Sequence, residues 1–156
     1  MAEDTRLEDL EGIRQARIAY SHFWDAGDVE GTASVFTDDA VIETRYGDKP
    51  YAAGGAIGKD AIREFYARHA KGRGQALHIV TNPLIEITGP DTAKGVWILT
   101  DIAIGQAGPG RPPQILYGKY TDQYRKVDGK WKIQRMEVDV LWLAEQWFED
   151  HNLVQS

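Results

Sequence analysis

At 156 residues, with 42% hydrophobic and 27% charged side chains, the chain has the size and composition of one globular domain able to bury a substantial core. Its formal net charge of -6, with the acidic excess spread along the chain, excludes the basic stripe that neutralises nucleic-acid phosphates. The lack of cysteine excludes disulfides and thiol chemistry, and no stretch approaches the ~20 apolar residues of a membrane helix, so a cytoplasmic protein with no nucleic-acid or membrane partner is expected.

Leu7, Leu10, Ile13, Ala16, Tyr20 and Trp24 recur every three or four residues and form the stripe of an amphipathic helix ending near Gly27. A second helical piece is expected over about Val29 to Phe36, after which TDDA turns the chain into a short strand, VIETR. The stretch GDKPYAAGGAIG, rich in glycine and proline, predicts irregular backbone. Ile62, Phe65, Tyr66 and His69 then share a helical face between Gly58 and Gly72. From Gln75 the period changes, and strands are expected at about 75 to 88, 92 to 107, 114 to 127 and 130 to 142, with Asp128-Gly129 as the strongest hairpin signal. Helices followed by consecutive antiparallel strands predict a single α+β domain, residues 1–156, whose curved sheet wraps around the N-terminal helices. For the tail, about 143–156, a helix covering the sheet and a contact with a second subunit both fit.

Chemistry concentrates on three elements. Alternation puts Ala76, His78 and Val80 on one face of their strand and Leu77, Ile79 and Thr81 on the other, so His78 points where apolar side chains point. It is either a core histidine held by one hydrogen bond or a general base. Asp101 shares the face of Trp97, Leu99 and Ala103, where an unpaired carboxylate would cost several kcal/mol or take up a proton. Arg135 or a tyrosine would answer it. Tyr20 and Asp25 lie five residues apart, about 140° around an ideal helix, and so flank a space rather than line up. Asp25 also meets the negative end of the helix dipole, which fits either a solvated residue or one recruited by a partner such as His78. Tyr117, Lys119 and Thr121 share a strand face, as do Trp131, Ile133 and Arg135, which makes Arg135 an inward cation unless it snorkels to solvent. The four histidines are scattered and no glycine-rich loop has a phosphate-binding pattern, so neither a metal nor a cofactor is expected.

Taken in order, YSHFWDAGD, FTDDAVIE, GKDAIREFY and YTDQYRKVDGKWKI resemble the SnoaL-like branch of the nuclear-transport-factor-2-like superfamily over nearly the whole chain. The resemblance implies a cone-shaped α+β fold, but the superfamily hosts dehydratases, dehydrohalogenases, isomerases, cyclases, epoxide hydrolases and non-catalytic members. Residue by residue, Tyr20, Asp25, His78 and Asp101 are similar to the active-site set of bacterial bile-acid dehydratases. The Asp25 and His78 pair is also similar to that of scytalone dehydratases and hexachlorocyclohexane dehydrochlorinases. Asp101 replaces the second histidine of scytalone dehydratases and Thr44 one of their tyrosines, so neither substrate carries over.

The resemblance implies a cofactor-independent lyase acting on an apolar cyclic or aromatic small molecule. His78 would be the base, oriented by Asp25; Tyr20 would donate to the leaving or carbonyl oxygen. Asp101 would donate if protonated, or pair with His78 or Arg135 if ionised. Trp24, Trp97, Leu99, Tyr117, Arg135 and Trp142 are the candidate pocket residues, with ordinary core packing as the other reading of the apolar ones. An isomerase, a dehydrohalogenase, a formaldehyde-releasing lyase and a non-catalytic binding module use the same scaffold. A homodimer or homotrimer joined through the broad sheet face is implied as well.

Overall fold

In the computed structural model, which describes residues 3–47, 49–71, 74–104 and 114–145, the apolar stripe of the N-terminus becomes α1 (Glu3–Asp25). Its Ile13, Ala16, Tyr20 and Trp24 are buried, a large aliphatic side chain such as that of Ile13 contributing roughly 1.5–3 kcal/mol. Leu7 departs from the expected stripe and is exposed; Asp9 is buried instead, where it accepts from Trp131 Nε1 at 2.9 Å and pairs with Lys126. The short α2 (Val29–Ser34) opens on Asp28, whose carboxylate accepts from the Gly31 N–H at 2.8 Å, and α3 (Lys59–Ala70) buries Ile62, Phe65 and Tyr66.

The strands are β1 (Phe36–Tyr46), β2 (Lys49–Ile57), β3 (Gln75–Gly89), β4 (Thr92–Ile104), β5 (Gln114–Val127) and β6 (Lys130–Glu145). They form one curved, unclosed sheet in the order β2-β1-β6-β5-β4-β3. Neighbours are antiparallel except β1 and β6, which run parallel. The α+β architecture matches the expectation, and α1 lies against β3 and β6. The Asp128-Gly129 turn joins β5 to β6, both residues having positive φ (49° and 75°), as a two-residue hairpin of the type I′ class demands.

Two expectations are corrected. The first strand begins at Phe36 rather than Val41, and the glycine- and proline-rich stretch is not irregular: it is β2, paired antiparallel with β1. Its composition suits an edge strand, where Pro costs no ladder bond that matters. Gly55 is required there, because a Cβ at that position would sit 2.2 Å from the Ile42 carbonyl oxygen. Of the expected tail, residues 143–145 belong to β6; the remainder, with Trp147 and Phe148, lies outside the described residues, as do 105–107 of the expected fourth strand.

The register of β6 carries two further surprises. Gln123 pairs with Arg135 but Tyr124 with Ile133, and Tyr117 pairs with Trp142 but Gly118 with Val140, so Gln134 and Leu141 are extra residues in β6. Each such bulge reverses which residues face the core. Burial accordingly shifts from Trp131 and Ile133 to Met136, Val138 and Val140.

At the centre, Arg17 of α1 and Asp122 of β5 form an ion pair with both side chains fully buried. Arg17 Nε donates to Asp122 Oδ2 at 3.0 Å and Nη2 to Oδ1 at 2.7 Å. Tyr124 Oη donates to the same carboxylate at 2.6 Å and itself accepts from Trp97 Nε1 at 3.0 Å. The guanidinium also lies over two rings, 4.0 Å from the Tyr120 centroid and 4.8 Å from that of Tyr20. Burial works against the charge on Arg17, yet the Asp122 carboxylate holds it above its ordinary range. Burial raises the Asp122 carboxyl, opposed by Arg17 and by the Tyr124 hydrogen bond. The pair stays ionised at neutral pH, since a proton on Asp122 would strand a buried guanidinium that cannot give up its own.

Removing one partner should therefore be worse than removing both. Arg17→Met is expected to lower unfolding free energy in urea by about 3–5 kcal/mol, and Arg17→Met with Asp122→Leu to lose clearly less. Additive losses would show that the pair is not coupled.

Candidate active site

The side chain of His78 on β3 is only 6% exposed, while those of Asp25 and Asp101 are 16% and 19% exposed. Asp25, the last residue of α1, reaches β3 with both carboxylate oxygens. Oδ2 accepts from the His78 backbone N–H at 2.8 Å, and Oδ1 lies 2.6 Å from His78 Nδ1. An ionised carboxylate only accepts, so Nδ1 carries the proton and Nε2 is the nitrogen able to take one up. The negative helix end, which disfavours Asp25 by itself, is offset by these two donors.

Asp101 arrives by register. His78 and Asp101 are directly opposed in the β3–β4 ladder. Because the His78 N–H turns away from β4 towards Asp25, the two residues form a non-hydrogen-bonded pair, the kind in which cross-strand side chains come closest. His78 Nε2 stands 3.7 Å from Asp101 Oδ2, too far for a hydrogen bond but close enough for the charges to interact. Tyr20, one and a half turns before Asp25, meets the imidazole edge-on with ring centroids 6.5 Å apart, and its Oη accepts from Tyr66 Oη at 3.0 Å. Burial raises the Tyr66 and Tyr120 phenols well above their ordinary range, so both keep their protons.

Tyr20, Asp25, His78 and Asp101 thus lie together around the imidazole. Trp24, Trp97 and Leu99 are buried in the core around them. The other three candidate pocket residues face away. Tyr117 pairs with Thr100, the neighbour of Asp101 on the opposite face, and stacks on Trp142 with centroids 5.6 Å apart; both are exposed. The bulge at Leu141 puts Trp142 outside, and the one at Gln134 does the same to Arg135. Arg135 binds Glu137 at 2.7 Å and Glu43 at 2.6 Å instead of answering Asp101. A groove of about 940 Å³ between β1 and β2 is lined by Val41, Glu43, Arg45, Gly55 and Asp139 among others, and His78 does not border it.

Arg17, Tyr120, Asp122 and Tyr124 lie outside the candidates that the sequence suggests. A charge three residues before Tyr20 on an apolar stripe, and a carboxylate alternating with two tyrosines, were the available signals. Among the described residues no group of three or more His, Cys, Asp or Glu side chains is arranged to hold a metal ion, and no helix is long and apolar enough to cross a membrane.

Residues 5–137 match a family model described as a SnoaL-like domain. None of the curated proteins matches the chain in sequence. Among solved structures, a protein provisionally assigned as a scytalone dehydratase from Novosphingobium aromaticivorans DSM 12444 superposes with a TM-score of 0.82 at 24% identity, covering 99% of each chain. One provisionally assigned as an aromatic ring hydroxylase, also from Novosphingobium aromaticivorans, gives 0.78 at 27% identity, covering 90% of this chain and 94% of the other. The hexachlorocyclohexane dehydrochlorinase LinA-type3 of Novosphingobium barchaimii LL02 gives 0.77 at 18%, covering 93% and 94%. The first and third speak to the fold alone.

The Asp25 contact fixes a tautomer that can be read directly. Nitrogen NMR of neutral His78 is expected to show protonated Nδ1 and bare Nε2, and Asp25→Ala to release the ring to the other form. An Nε2–H signal in the unaltered protein would remove the base from this site.

Proposed function

The chain belongs to the SnoaL-like domain family, and we propose that it is a cofactor-independent lyase of the dehydratase type, acting on an apolar cyclic or aromatic small molecule. The observation that carries this reading is the double grip of Asp25 on His78 through the backbone N–H and Nδ1, which presents Nε2 as a base in fixed orientation.

In this mechanism Nε2 takes a proton from a substrate carbon. The C–H electron pair becomes the new double bond as the neighbouring carbon–oxygen bond breaks. The departing oxygen takes a proton from Tyr20, or from Asp101 where that carboxyl is protonated, and leaves as water. Asp25 stabilises the imidazolium; an ionised Asp101, 3.7 Å from Nε2, would do the same. The proton on His78 then returns to the donor, which closes the cycle without a redox step.

Two considerations favour this over the other chemistries of the scaffold. A halide leaves without a proton, whereas hydroxide needs one, and the phenol of Tyr20 stands beside the base. Among proteins of the same fold, one provisionally assigned as a dehydratase and a dehydrochlorinase carry names of eliminations, which sets elimination ahead of isomerisation without separating water from halide, and one is provisionally assigned as an aromatic ring hydroxylase. Isomerisation shares the first proton transfer and differs in where the proton returns.

The proposed assembly is a homodimer or homotrimer meeting through the outer sheet face, where Leu77, Ile98, Tyr117 and Trp142 are exposed. Light scattering that finds an active monomer would remove this part.

The test begins with a screen of alicyclic and aromatic hydroxy and carbonyl compounds for water release. On a turned-over substrate, His78→Ala and Asp25→Asn should each lower kcat by about 10²- to 10⁴-fold while ligand affinity and fold persist. Undiminished turnover in His78→Ala would sink the mechanism. Carbon-bound deuterium exchange with no water released would replace it with an isomerase.

A further inference from the structure

Tyr66 has no part in the chemistry above, yet its hydroxyl is placed where it matters. It lies on the buried face of α3, 2% exposed, with Trp24 at a centroid distance of 4.7 Å, Phe65 at 5.3 Å and Phe36 at 6.2 Å. Among the described residues its Oη makes one hydrogen bond, to Tyr20 Oη at 3.0 Å. The phenol stays protonated, because burial opposes its ionisation.

A buried hydroxyl must give its proton to an acceptor or bear the desolvation of an unmade bond. If Tyr20 donated to Tyr66, the Tyr66 proton would have nowhere to go among these rings. If Tyr66 donates to Tyr20, the Tyr66 hydroxyl is satisfied, and the proton of Tyr20 turns away from α3. Hydrogen-bond accounting therefore selects the second arrangement.

We propose that Tyr66 is a positioning residue: it fixes Tyr20 as the proton donor of the site and, through the same hydrogen bond, stabilises the phenolate that Tyr20 becomes. The catalytic half rests on the lyase reading; the direction of the Tyr66–Tyr20 bond does not. The Arg17 guanidinium, 4.8 Å from the Tyr20 ring centroid, favours the same phenolate. The developing charge on Tyr20 is met on one side by a donor and on another by a cation, both already in place before substrate arrives.

The experiment uses Tyr66→Phe, which removes the hydroxyl and keeps the ring. A fluorinated tyrosine placed at position 20, more acidic than tyrosine, is titrated by fluorine NMR in the ligand-free protein. Tyr66→Phe is expected to raise its midpoint by about one pH unit, since a hydrogen bond to the charged form is lost. On a lyase substrate it should lower kcat about tenfold with KM nearly unchanged, and add nothing to the loss caused by Tyr20→Phe, because it acts through Tyr20. An unshifted midpoint with full kcat overturns the inference and leaves the lyase reading standing, as does a Tyr66→Phe variant that changes only the melting temperature. A protein that turns nothing over refutes the lyase reading, while a raised midpoint in that protein would still uphold the Tyr66-to-Tyr20 bond.

Discussion

The Arg17–Asp122 pair is the interaction on which the placement of everything else depends. It spans from the middle of α1 to the middle of β5, and it cannot slide: the guanidinium fork meets one carboxylate through Nε and Nη2, and Tyr124 closes the other side. With Arg17 pinned, the helical repeat places Tyr20 one turn later on the same stripe, and Asp25 arrives at the end of the helix where β3 passes. The pair is costly to bury and is offset only by complete hydrogen bonding of Asp122 and by the faces of Tyr20 and Tyr120. Arg17 Nη1 makes no hydrogen bond among the described residues, so those ring faces carry part of its compensation.

The interior around the site is consequently polar in a particular way. Phenols, one cation and three acids lie within a shell of Trp24, Phe36, Trp97 and Leu99, the cation paired with Asp122 and the Tyr124 phenol donating to the same carboxylate. A low-dielectric shell of this kind strengthens every charge interaction inside it. It also explains why a histidine can be tolerated in a strand such as β3: its two N–H groups are both spent on Asp25.

Much of this was legible from periodicity. The three-and-four spacing located α1 and α3, the two-residue period located β3 to β6 and put His78 and Asp101 on core-facing sides, and Asp128-Gly129 marked its hairpin. That Asp25 should meet His78 across 53 residues was not readable from spacing, and came from resemblance to a family. β2 was missed because glycine and proline weaken a strand signal at a sheet edge, where the fold tolerates them. Arg135, Tyr117 and Trp142 were misplaced for different reasons. Alternation carries Ile133's inward face on to Arg135, and nothing in a sequence announces that Gln134 is skipped; Trp142, an odd number of residues from Trp131, was a candidate for its ring, against its parity. Tyr117 needed only the knowledge of which face of β5 is the inner one, which its neighbours Gly118 and Tyr120 supply once the sheet is seen.

β3 is the last strand of the sheet among the described residues, and a bare sheet edge is a template for another chain. Asp25 occupies the outward N–H of His78, so one carboxylate both aims the imidazole and stops a foreign strand from docking at the point where the base sits. Guarding the edge and arming the base are the same contact. Selection for solubility and selection for chemistry would then pull on this residue in the same direction, and an asparagine, with a single acceptor oxygen, could satisfy one of the two demands at a time.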